Sequence, residues 1–83
     1  MPHKFWMPRI DGKNIRVEVK WSSSNGTGQL FVDGVLTHNW KADFADGLTK
    51  VFQIAGKPAS LHHTKLTYEL RIDGREINSI GQI

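Results

Sequence analysis

Apolar and polar residues alternate strictly over two stretches of the chain. Over residues 14–21 the apolar positions are Ile15, Val17, Val19 and Trp21, and the polar ones are Asn14, Arg16, Glu18 and Lys20. Over residues 65–72 Leu66, Tyr68, Leu70 and Ile72 alternate with Lys65, Thr67, Glu69 and Arg71. Successive side chains of a strand point to opposite faces, so each stretch predicts a β-strand with one dry and one solvated face. A single wet face is typical of antiparallel sheets, because strands of parallel sheets are covered on both sides.

Asp-Gly pairs punctuate this pattern at Asp11-Gly12, Asp33-Gly34, Asp46-Gly47 and Asp73-Gly74. Asp and Gly tolerate the positive φ angles of tight hairpin turns. The pairs after Ile10, Val32 and Ile72 follow a strand end and predict hairpins, whereas Asp46-Gly47 sits in a polar stretch and reads as loop. The strands predicted from both signals cover residues 4–10, 14–21, 29–32, 35–40, 50–55, 60–72 with a break near His63, and 75–80. The Ser/Gly-rich residues 22–28, residues 41–49 (with room for one helical turn) and Gly56-Lys57-Pro58 are the breaks. No stretch shows helical periodicity. The predicted core holds Val17, Val19, Phe31, Leu66, Tyr68, Leu70 and Ile72.

Seven short strands leave too much apolar surface to lie flat, so they must close into a two-sheet sandwich or a barrel. Periodicity does not choose between these. The 83 residues make one domain, 1–83, whose small size leaves little core to line a deep active-site cavity. With no cysteine and no disulfide staple, the chain is expected in the cytoplasm. The N-terminus lacks the apolar run of a signal peptide, and nothing approaches the roughly 20 apolar residues of a membrane-spanning helix. The net charge of +3 gives only mild attraction to polyanions.

Candidate chemistry is sparse. His62 and His63 are adjacent, and adjacent strand residues point to opposite faces, so they cannot chelate one ion in regular geometry. No metal site and no cofactor are expected. Asp11, Asp33 and Asp73 are turn residues, and Glu18 and Glu69 stand on solvated faces. No Ser or His has the context of a nucleophile, and Gly26-Thr27-Gly28 lacks the rest of a phosphate loop. The chain is therefore read as non-catalytic. Arg16, Lys20, Arg71 and Arg75 suggest a patch for single-stranded nucleic acid on a small barrel, but Glu18 and Glu69 interrupt it.

Binding through protein contact is the favoured expectation. Trp40 and Phe44 either plug an open end of the core or form an exposed apolar patch for a partner. An unclosed sheet has edges able to pair with a partner protein or a second copy. Residues 5–10 and 75–80 are the predicted edges, able also to pair with each other. Pro8 protects the first of these. The second lacks proline and carries Ile77 and Ile80, which makes Ile77 a candidate contact residue.

The order of motifs resembles one family. Asp11-Gly12-Lys13-Asn14-Ile15-Arg16-Val17-Glu18-Val19 precedes the Ser/Gly loop, then Gln29-Leu30-Phe31-Val32-Asp33-Gly34, Trp40, Phe52-Gln53-Ile54-Ala55-Gly56 and Tyr68-Glu69-Leu70-Arg71-Ile72-Asp73-Gly74-Arg75-Glu76-Ile77. This is similar to a domain of Fas apoptotic inhibitory molecule, above all its N-terminal one. That family carries two such domains, and this chain holds a single copy. The resemblance implies an antiparallel β-sandwich of about seven to eight short strands joined by Asp-Gly hairpins. It also implies a cytosolic, non-catalytic protein acting in apoptosis inhibition or in protection against misfolded protein.

Overall fold

The computed structural model describes residues 3–22, 27–40, 49–63 and 67–82. Among these residues there is no helix. The strands are β1 (His3–Trp6), β2 (Arg9–Ile10), β3 (Lys13–Asn14), β4 (Val17–Trp21), β5 (Gly28–Val32), β6 (Val35–Trp40), β7 (Thr49–Ile54), β8 (Lys57–His63), β9 (Tyr68–Ile72), β10 (Arg75–Ile77) and β11 (Gly81–Gln82). Every pairing is antiparallel. The first sheet runs β11-β1-β4-β5-β6, the second β10-β9-β8-β7, and β2-β3 form a separate hairpin. Among the described residues there are thus eleven short strands, against the seven expected from the alternation and turns and the seven to eight implied by the resemblance. The surplus arises because the chain leaves the sheets at Met7-Pro8, at Ile15-Arg16 and over residues 78–80, and because the stretch 60–72 is divided between β8 and β9.

Tight turns set the registers. Asp11, Asp33 and Asp73 have φ of 51°, 51° and 53°, and each is followed by a glycine with φ between 77° and 80°. Two central residues at positive φ are the mark of a type I′ turn, whose twist matches that of the strands it joins. A fourth turn has the same geometry at Ala55-Gly56. Gly56-Lys57-Pro58 is therefore no loop: Ile54 already pairs with Lys57, and Pro58 lies within β8. Asp46-Gly47 lies outside the described residues. The Asp33 carboxylate accepts the Arg16 amide at 2.9 Å, and the Asp33 amide donates to the Arg16 carbonyl at 2.7 Å. The β5-β6 turn is thereby tied to the bend that precedes β4.

Both sheets bury their apolar faces in one cluster. The first contributes Trp6, Val17, Val19, Trp21, Leu30 and Trp40, and the second Phe52, Ile54, Ala59, Leu61, Tyr68, Leu70 and Ile72. Ile10 and Ile15 extend this cluster from the hairpin end of the molecule. Of the predicted core, Val17, Val19, Tyr68, Leu70 and Ile72 are buried, while Leu66 lies outside the described residues. Phe31 is corrected. Val19 pairs with Leu30, and Glu18 with Phe31, so Leu30 takes the inward position and Phe31 lies half-buried on the outer face with Glu18.

The expected edges need one correction as well. β1 lies between β4 and β11 and is not an edge. The two terminal segments do meet: Lys4 pairs with Gln82, and the Ile80 amide donates to the Phe5 carbonyl at 2.9 Å. β10 is an edge of the second sheet.

Candidate interaction surface

Of the residues singled out from the sequence, Trp40 and Ile77 occupy different settings. Trp40 is buried, with 5% of its surface exposed, and its ring meets Tyr68 at 6.1 Å. Trp21 meets the same tyrosine edge-on at 5.0 Å, and His63 stacks on it at 4.7 Å. These four rings fill one end of the core. Burial pushes the Tyr68 phenol above its ordinary pKa, and a hydrogen bond with the Trp40 side chain partly opposes the rise. Phe44 lies outside the described residues. Ile77 pairs with Leu70 on β9 and is half-buried against the core.

Ile77 also lines a cleft of about 540 Å³ between the β2-β3 hairpin and the β9-β10 turn. Its walls combine Ile10, Ile72 and Ile77 with three basic and three acidic side chains. Equal charge of either sign offers no net field to select a charged ligand. A smaller hollow lies beside Lys4. There the Lys4 ammonium crosses from β1 to the second sheet, donating to Thr67 Oγ1 at 3.0 Å and to the Tyr68 carbonyl at 2.9 Å. Burial lowers the Lys4 pKa, and the Glu69 and Glu76 carboxylates partly offset this. Both bonds join the sheets, so this lysine serves the fold.

His62 and His63 diverge. The His62 ring lies 2.8 Å from the Thr49 hydroxyl on the outer face of the second sheet, and His63 turns inward to Tyr68. No group of three or more metal-ligating side chains occurs among the described residues. No helix among them is long and apolar enough to cross a membrane.

The outer face of the first sheet carries a transverse row. Phe5 pairs with Glu18, Glu18 with Phe31, and Phe31 with Leu36. The Arg16 guanidinium lies 4.6 Å from the Phe5 ring centre, and the Lys20 ammonium 5.4 Å from that of Phe31. Glu18 sits among these cations, 2.8 Å from His3 Nδ1 and 3.9 Å from Arg16. The aromatic faces are thus already engaged, and a carboxylate breaks the basic surface. A base-stacking platform needs free rings along a continuous basic track.

The sheet edges differ in how they are guarded. β11 has only two residues, and β10 places Arg75 and Glu76 on its three. β7 carries Lys50 on the inward side with Phe52, although its Val51 is 75% exposed. Short length, charge and inward-pointing lysine all discourage pairing with a stranger strand. β6, Val-Leu-Thr-His-Asn-Trp, has six residues with neither charge nor proline. Its one guard is a bulge at Thr37, where the register passes from Leu30↔His38 to Phe31↔Leu36. Val35 and Leu36 are 66% and 46% exposed. The β6 and β7 edges lie side by side, since the His38 ring meets Phe52 edge-on at 5.7 Å.

Val35 and Leu36 escape a reading of the sequence because consecutive apolar residues after a turn carry no phase. The absence of charge over residues 35–40 was the available signal, but its meaning depends on β6 being an edge. Comparisons with protein-family models, curated proteins and solved structures find no match.

Proposed function

We propose that this chain is a non-catalytic protein-interaction module that receives a partner strand at β6. The observation that carries this reading is the uncharged, proline-free edge with Val35 and Leu36 exposed upon it. An edge strand offers its outward N–H and C=O groups to an added strand, and side chains alternating along it select the sequence added. The role does not require a deep polar cavity, and the cleft beside Ile77 takes no part in it. The resemblance of the motif order to Fas apoptotic inhibitory molecule domains suggests apoptosis inhibition, or protection against aggregation, in the cytoplasm as the proposed setting.

The test begins with proteins recovered on the immobilised chain from native cells. Each recovered protein is purified and bound to wild type and to Leu36→Lys, with amide exchange followed in β6. A purified protein that slows exchange across Val35–Trp40 in wild type, and binds at least tenfold more weakly to Leu36→Lys, is the expected result. Equal binding to both chains overturns the proposal. So does recovery that nuclease treatment abolishes, which favours single-stranded nucleic acid.

A further inference from the structure

We infer that the strand received at β6 is the β6 strand of a second copy of this chain, paired antiparallel about a two-fold axis near Leu36. The inference rests on the reading of β6 as an interaction edge and names its occupant.

The charge pattern is the first argument. In a two-fold interface each residue near the axis meets its own symmetry mate, so any charge there faces a like charge. Like charges directly opposite in a sheet are destabilising. An edge selected for a charged foreign strand would carry complementary charges, and β6 carries none over its six residues. β10, with Arg75 and Glu76 exposed, has the opposite character.

The second argument is the transverse row on the outer face. Leu36 ends the series Phe5, Glu18, Phe31, Leu36. A two-fold axis at Leu36 sets this leucine against its mate and continues the row into the mate's Phe31. Four apolar side chains, two from each copy, then lie side by side. Cross-strand pairs of this kind are the unit of sheet stabilisation. An axis at Leu36 also makes Val35 and Thr37 mutual partners, so the pairing ends at the bulge and β6 need not straighten.

The charge on the whole chain sets the salt dependence. Each copy carries +3, so the copies repel at long range although the contact itself is uncharged. Added salt screens that repulsion, and association must therefore strengthen as salt rises. Binding to nucleic acid has the opposite slope.

Sedimentation equilibrium of the purified chain, from micromolar to millimolar concentration at two salt concentrations, tests this. A monomer–dimer equilibrium is expected, with a dissociation constant that falls at higher salt. Leu36→Lys should weaken it at least tenfold, and Val51→Lys, on the neighbouring edge, should leave it unchanged within twofold. Thermal melts show whether each variant is folded, and Leu36→Ser replaces Leu36→Lys if the latter is not. In wild type, amide exchange in β6 should slow as concentration rises. A wild-type monomer throughout, or a dimer disrupted by Val51→Lys and not by Leu36→Lys, overturns the inference. If the chain stays monomeric while Leu36→Lys still abolishes binding of a purified foreign protein, the second copy is wrong and the interaction edge stands. If neither effect is seen, both fail.

Discussion

The indole of Trp40 lies over the α-carbon of Gly28, its cross-strand partner, so closely that a β-carbon at position 28 would overlap the six-membered ring. Gly28 is itself buried. The position demands glycine because of the neighbour it faces.

Gly28→Ala should therefore destabilise the fold. Overpacking a closed core typically costs about 1–3 kcal/mol. Urea unfolding followed by tryptophan fluorescence measures this. A loss under about 0.5 kcal/mol, the range of innocuous surface changes, would show that Trp40 moves aside freely.

Leu70 is fully buried at 0% exposure in the centre of the second sheet. Leu70→Ala removes its packing and leaves a cavity, at about 2–5 kcal/mol. Total stabilities are only about 5–15 kcal/mol, so the variant should lose a large part of its cooperative thermal transition. A loss below about 1 kcal/mol would mean that the core collapses around the gap.

Ala55 holds a φ of 51° in the β7-β8 turn, where the equivalent turns have aspartate. A β-carbon in this region is strained, and Asn or Asp relieves the strain through local hydrogen bonding. Ala55→Asn should raise stability by about 0.5–1 kcal/mol, the scale typical of matching a residue to its backbone conformation. A lower unfolding midpoint for the variant would contradict the turn geometry.

Lys4 and Tyr68 give stability opposite slopes at alkaline pH. Burial lowers the Lys4 pKa in the folded chain below 10.5. In the interval between the folded and unfolded values the unfolded chain binds more protons, so this group makes stability rise with pH there. Burial raises the Tyr68 pKa above 10.0. The folded chain then holds its proton longer, and stability falls as pH climbs past 10.0 toward the folded value. Lys4→Met should remove the rising component just below pH 10.5, leaving the Tyr68 decline. Chemical unfolding at intervals from pH 8 to 11 measures both, and an unchanged profile in Lys4→Met would remove the lysine as its cause.

The parts of this fold that are legible in the sequence are those fixed by local chemistry. β4 and β9 are plain because one face of each is dry, and the three Asp-Gly hairpins because positive φ selects those residues. Ala55-Gly56 is hidden, since alanine is not a turn former, and only the pairing of Ile54 with Lys57 exposes it. Leu30-Phe31-Val32 is a continuous apolar run, and its inward phase is decided by the pairing of Leu30 with Val19. Trp40 reads as plug or patch, the plug favoured, until Gly28 is seen to make room for it. The candidate surface was the least legible. β1 and β6 look alike as short strands, and only the sheet order makes one internal and the other an edge.

The sheet order also ranks the steps of refolding. β7, β8, β9 and β10 are consecutive neighbours, so the second sheet assembles by zipping each strand onto the one before. β4, β5 and β6 do likewise. β1 and β11 instead join Lys4 to Gln82, 78 positions later (82 − 4). Closing a long loop costs more entropy than closing a turn, and contacts remote in sequence slow folding. The seam between the chain ends is therefore the last part of the first sheet to knit, after β4 has presented its free side to β1. Pulse labelling during refolding would find amides of Thr49–Ile54 and Tyr68–Ile72 sheltered while the Ile80 amide, which bonds the Phe5 carbonyl across the seam, still exchanges.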